Sequence, residues 1–72
     1  MNKTTLSRRY FPHATPQSAL RMFNRYLHRA KGLLDELYHA YYRPDDRHLT
    51  PRQVQIIYAY LGEPFDEDFG DL

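Results

Sequence analysis

The chain contains no cysteine, only three scattered glycines, no long apolar run, and no aspartate or glutamate in its first 31 residues. Each absence narrows the function. Without cysteine there is no disulfide framework and no redox compartment to infer. Three scattered glycines form no glycine-rich phosphate loop. The longest apolar run is IIYAYL, Ile56 to Leu61, far short of the roughly 20 residues that span a bilayer. The opening MNKTTLSRRYFPHA carries positive charge with no apolar region behind it, unlike a secretory signal. A soluble, cytoplasmic protein with no membrane contact is expected.

Catalytic and metal signals are equally sparse. The histidines stand at 13, 28, 39 and 48, with no i, i+4 pair and no cysteine to complete a zinc set. No spacing suggests a nucleophile with its base. The acids of Asp45-Asp46 and of the C-terminal segment match no cation-binding loop. The expectation is a non-enzymatic protein with no cofactor and no metal.

What is present is a short chain with polarised charge. Its 72 residues make one domain at most. A chain of this size buries only about 60% of its unfolded surface, so apolar groups are left over and a homodimer is one way to cover them. Residues 1–31 carry a formal +7, from Lys3, Arg8, Arg9, Arg21, Arg25, Arg29 and Lys31, whereas residues 32–72 carry −6. This pattern fits a polyanion-facing part and an acidic tail, or two halves that neutralise each other.

Four helical segments are predicted. Leu6, Tyr10 and Phe11 share one face of a short first helix that Pro12 stops, with Ser7, Arg8 and Arg9 opposite. The second begins at Thr15 as N-cap with Pro16 in the first turn. Its core stripe is Leu20, Phe23, Leu27 and Ala30, flanked by Ala19 and Tyr26, and Gly32 is placed to close it left-handed. The third runs from about Leu33 to Tyr41 on Leu33, Leu34, Leu37, Tyr38 and Tyr41. Asp35 and Glu36 suit its positive N-terminal end, and YRPDDRH then breaks it. The fourth opens on LTPRQV, a capping box between Thr50 and Gln53 with Leu49 and Val54 as a hydrophobic staple. Its stripe is Val54, Ile57, Tyr58 and Leu61, and Gly62 and Pro64 end it. Val54, Ile56, Tyr58 and Tyr60 also alternate as in a strand; the capping signals decide for helix.

The predicted fold is therefore all-α: a compact three-to-four-helix domain over residues 1–64, helix-turn-helix-like, followed by an acidic tail over 65–72. A short β wing near 42–49 is left open. Met22, Ile56, Tyr60, Tyr41 and Tyr42 fall off the main stripes and suit a protein partner or a second copy.

The second helix carries the clearest binding signal. Gln17, Arg21, Asn24 and Arg25 fall on its polar side, extended by His28 and Arg29. Arginine bonds guanine edges, asparagine bonds adenine, and both grip phosphate. Arg8 and Arg9 on the preceding helix can reach flanking backbone. A short helix, a break and a second basic helix read as a helix-turn-helix pair, whose second helix enters the major groove of double-stranded DNA.

The stretches YFPHATPQSALRMFNRYL, LLDELYHAYYRP and LTPRQVQIIYAYLGEP, from about Leu6 to Pro64, together resemble a family of short bacterial proteins known only as a domain of unknown function. More distantly, YRPDDRHLTPRQVQIIYAYLG is similar to the wing and following helix of winged helix-turn-helix proteins of the MerR and excisionase type. That resemblance implies DNA binding, with Arg43 and Arg47 where wing arginines approach phosphates.

Overall fold

Helices dominate the computed structural model, which describes residues 1–64: α1 (Lys3–Tyr10), α2 (Pro16–Arg29), α3 (Leu33–His39) and α4 (Pro51–Leu61). The predicted all-α domain is found, and no strand forms among the described residues. The acidic segment 65–72 lies outside them.

Two helix starts match the capping code of the sequence. At α2 the Thr15 hydroxyl accepts from the Ser18 N–H at 3.2 Å, with Pro16 following it. At α4 the reciprocal box is complete: Thr50 Oγ1 accepts from the Gln53 N–H at 3.2 Å, and Gln53 Oε1 accepts from the Thr50 N–H at 3.0 Å. The Gln53 amide then donates to the Ala40 carbonyl at 2.8 Å, which ties α4 to the end of α3. Leu49 and Val54 are both buried, as a staple requires.

Other local expectations are corrected. The first helix begins at Lys3, earlier than the Leu6 stripe implied, because Asn2 caps it by accepting from the Thr4 and Thr5 N–H groups. Ser7, predicted to face solvent, is fully buried; its hydroxyl donates to the Thr4 carbonyl at 2.7 Å and so needs no water. Gly32 is left-handed, at φ +86°, yet it serves as N-cap of α3, since α2 has already ended through Ala30. The third helix stops at His39. Tyr41 adopts φ +69° and is 90% exposed, so it belongs to no core stripe. A non-glycine residue there carries backbone strain of about 1–2 kcal/mol. The reversal it makes turns Tyr42 inward, and Tyr42 is only 4% exposed.

The core consists of Leu6, Phe23, Leu27, Leu33, Leu37, Tyr42, Leu49, Val54 and Ile57, contributed by all four helices and the connection before α4. Ala19 is buried where α2 needs a small residue, whereas Leu20 and Ala30, expected inside, are half-buried. Each fully buried aliphatic or phenyl group contributes about 1.5–3 kcal/mol.

The β wing left open over 42–49 is replaced by a different device. The connection pairs with the start of the chain: the Leu49 N–H donates to the Met1 carbonyl at 2.7 Å, and the Lys3 N–H donates to the Arg47 carbonyl at 2.8 Å. A single antiparallel bridge joins Asn2 to His48. Backbone donors and acceptors in a partly covered loop need partners, and residues 1–3 supply both kinds.

Candidate nucleic-acid interface

The α2 sequence dictates a two-sided helix. With Ala19, Phe23 and Leu27 facing the core, a 3.6-residue repeat drives Gln17, Arg21, Arg25 and Arg29 outward, and all four are exposed. Arg21, Arg25 and Arg29 recur every fourth residue, about 6 Å apart along the axis. Arg8 and Arg9 are exposed in the last turn of α1, where they flank an open hollow with Thr5 and Pro12. Neither helix contains an acid.

The other predicted residues lie elsewhere. Asn24 is half-buried and faces a cleft of ≈ 440 Å³ that it shares with Leu20, Lys3, Pro44, Asp45, Asp46 and Arg47. Arg43 and Arg47 are exposed but sit on a turn rather than a wing. The Arg43 N–H donates to Asp46 Oδ2 at 3.0 Å, a local side-chain-to-backbone closure of the turn in which Asp45 and Asp46 stand between the two arginines in the chain. Those carboxylates repel a phosphate approaching from that side. The predicted site arginines thus divide into an acid-free set on α1 and α2, Arg8, Arg9, Arg21, Arg25 and Arg29, and the pair Arg43 and Arg47, which has carboxylates beside it.

Lys3 belongs to neither set, although it counts in the formal +7 of residues 1–31. It is only 4% exposed. Its ammonium donates to the Tyr42 hydroxyl and to the Pro44 carbonyl, and lies 5.0 Å from the Tyr42 ring centroid. Burial pushes the Lys3 ammonium below its usual value, with Asp46 and Asp45 opposing the shift. Burial also pushes the Tyr42 hydroxyl up to about 12, helped by Tyr38, Asp46 and Asp45. No sequence signal marks this pair, because the partners stand 39 positions apart.

The pair makes stability depend on alkaline pH. Above pH 10 the unfolded chain releases the Tyr42 proton, whereas the folded chain keeps it to about 12. The Tyr42 contribution is therefore intact below pH 10 and lost as pH rises through about 12, by about 2 kcal/mol. Lys3 acts with opposite sign: between its lowered folded value and 10.5 the unfolded chain binds more protons, and stability rises with pH. Tyr42→Phe is expected to lower stability at pH 8, by leaving Lys3 short of an acceptor, and to flatten the loss between pH 10 and 12. Urea unfolding across that range checks both; an unchanged slope would remove Tyr42 as its source.

Among the described residues, no three His, Asp or Glu side chains come together as a metal ion would require. No helix among them is long and apolar enough to cross a membrane.

Comparison with known proteins gives a family and no activity. Neither a curated protein nor a solved structure matches the chain, so the distant likeness to winged helix-turn-helix proteins has no counterpart there. The model of a domain of unknown function, DUF4248, matches residues 1–64, the same span that folds into the four helices. The chain belongs to the DUF4248 family.

Proposed function

We propose that this domain is a small, non-enzymatic binder of double-stranded DNA that docks helix-turn-helix-like through the outward face of α2. The observation that carries the reading is the exposed, acid-free row of Arg21, Arg25 and Arg29. A helix of this kind fits a major groove about 12 Å wide. Gln17, at the N-terminal end of the same face, is placed to bond a base edge or a phosphate. Arg8 and Arg9 hold the flanking backbone. Arg43, Arg47 and Asn24 play lesser parts, since carboxylates stand beside the arginines and the cleft takes up Asn24.

Three to five phosphate contacts predict that log K falls with log salt at a slope of roughly −3 to −4.5. A fluorescent duplex titrated at several salt concentrations measures it. Absence of binding at low salt would overturn the proposal.

A second reading is a protein-interaction module or homodimer. It is favoured by the exposure of large tyrosines, Tyr41 at 90% and Tyr26, Tyr38 and Tyr60 to lesser extents. Sedimentation at high concentration separates the two, and a strict monomer counts against self-association.

A further inference from the structure

Two apolar hollows lie where α1 turns into α2 and where α4 ends. Tyr10, Phe11 and Met22 line the first. Tyr26, Ala30 and Leu61 line the second. They join across Phe11 and Tyr26, whose rings meet edge-on with centroids 5.0 Å apart. The two hollows adjoin there as a shallow groove, with Arg29 and Arg25 on its α2 side and the Glu63 carboxylate close enough to act on the Tyr10 hydroxyl at its other end. Arg29 lines the second hollow, and Arg25 stands three residues after Met22 on the adjoining side of the same helix.

The end of the domain is fixed at this groove. Leu61 is part of its wall, and the Tyr10 hydroxyl, from the opposite wall, donates to the Gly62 carbonyl. The chain therefore leaves α4 at the rim. Eight residues follow Pro64, FDEDFGDL, which hold two phenylalanines, four acids and no cation. Extended, eight residues reach about 26 Å, ample for a groove that begins at their own anchor. The chemistry is complementary on both counts: phenyl groups for an aromatic and aliphatic floor, carboxylates for an arginine rim. A tether this short also keeps the local concentration of the segment at about the millimolar level, so weak contacts suffice.

We propose that this groove is the docking site of the chain's own C-terminal segment, Phe65–Leu72, with Phe65 and Phe69 on the apolar floor and the acids against Arg25 and Arg29. Docking does not depend on the DNA reading. Should that reading hold, the segment masks two of its three row arginines and acts as a built-in competitor for phosphate.

The test uses the 72-residue chain and no DNA, so its failure leaves the DNA proposal untouched. Because the protein has no cysteine, Asp71→Cys gives a single attachment point for a nitroxide. Amide signals of Phe11, Met22 and Tyr26 are expected to lose intensity relative to the reduced label. Phe65→Ser/Phe69→Ser in the same labelled chain is expected to restore them. Loss confined to the residues just before Phe65, or centred on α3, overturns the proposal. So does loss that the double substitution leaves unchanged. A mixture of nitroxide-labelled ¹⁴N chain with unlabelled ¹⁵N chain separates docking in cis from exchange between copies; broadening there as strong as within one chain also overturns it.

Discussion

Phe23→Ala is expected to cost about 3–5 kcal/mol, the range for deleting a buried phenyl group with incomplete relaxation around it. Phe23 is fully buried, and its ring stacks on Tyr10 with centroids 5.8 Å apart and planes at 28°. Removing it opens a cavity within the Leu6, Leu27, Leu33, Leu37 and Ile57 cluster. It also removes the support under Tyr10, whose hydroxyl fastens the end of α4 through Gly62. A domain of this size has a total stability of only roughly 3–10 kcal/mol, so the loss consumes between about a third and all of it. Urea unfolding followed by circular dichroism is expected to show no folded baseline, or a sharply lowered midpoint. Gln17→Ala, exposed on the same helix, should stay within about 0.5 kcal/mol. A Phe23→Ala shift below about 1 kcal/mol would mean that the core reorganises around the missing ring.

How much of this was legible in the sequence depends on the range of the interaction. Capping codes are local. Thr15-Pro16 and Thr50-Pro51-Arg52-Gln53 located two helix starts, and the 3.6 repeat then oriented Phe23, Leu27, Val54 and Ile57 inward. The same repeat places Arg21, Arg25 and Arg29 outward, so the basic face is legible in the sequence itself. Asn2 was also readable in principle, since asparagine is a preferred cap, but α1 offers too few apolar positions to point back to it. Tertiary placement was not readable. Lys3 is buried because Tyr42 and Pro44, from a distant connection, supply its acceptors. Asn24 is half-covered because residues 44–47 lie beside it. Tyr42 enters the core only because Tyr41 takes a left-handed backbone, which no propensity for tyrosine foretells. Residues 1–3 and 47–49 pair because each has backbone groups to satisfy, with nothing in their side chains to mark the match.

These placements sharpen the electrostatic reading of α2. Of the seven cations in residues 1–31, Lys3 is withdrawn from the surface. Exposed arginines on α1 and α2 remain, and the row of Arg21 and Arg25 at its centre is the part on which DNA affinity is expected to depend most. Arg21→Ala/Arg25→Ala removes two phosphate neutralisations, so the salt slope should become shallower by about 1.8. The consequence is a number that needs no absolute affinity. Between 50 and 200 mM salt, the ratio of wild-type to variant affinity should shrink by about tenfold, because fewer counterions remain to be released. At the lower salt the variant should bind on the order of 100-fold more weakly. Both side chains are exposed, so the substitutions leave the fold within about 0.5 kcal/mol per site, and a circular dichroism melt confirms that the loss is one of contact. Arg21→Lys/Arg25→Lys separates two modes of recognition. Lysine keeps the point charge and hence the slope, but loses the planar fork that grips a guanine edge or a phosphate bidentately. Retained affinity in the lysine variant assigns α2 to sequence-independent backbone binding, whereas weakened affinity at unchanged slope assigns Arg21 and Arg25 to base or bidentate contacts. An alanine variant with wild-type affinity and wild-type slope would place the contact surface away from α2 altogether.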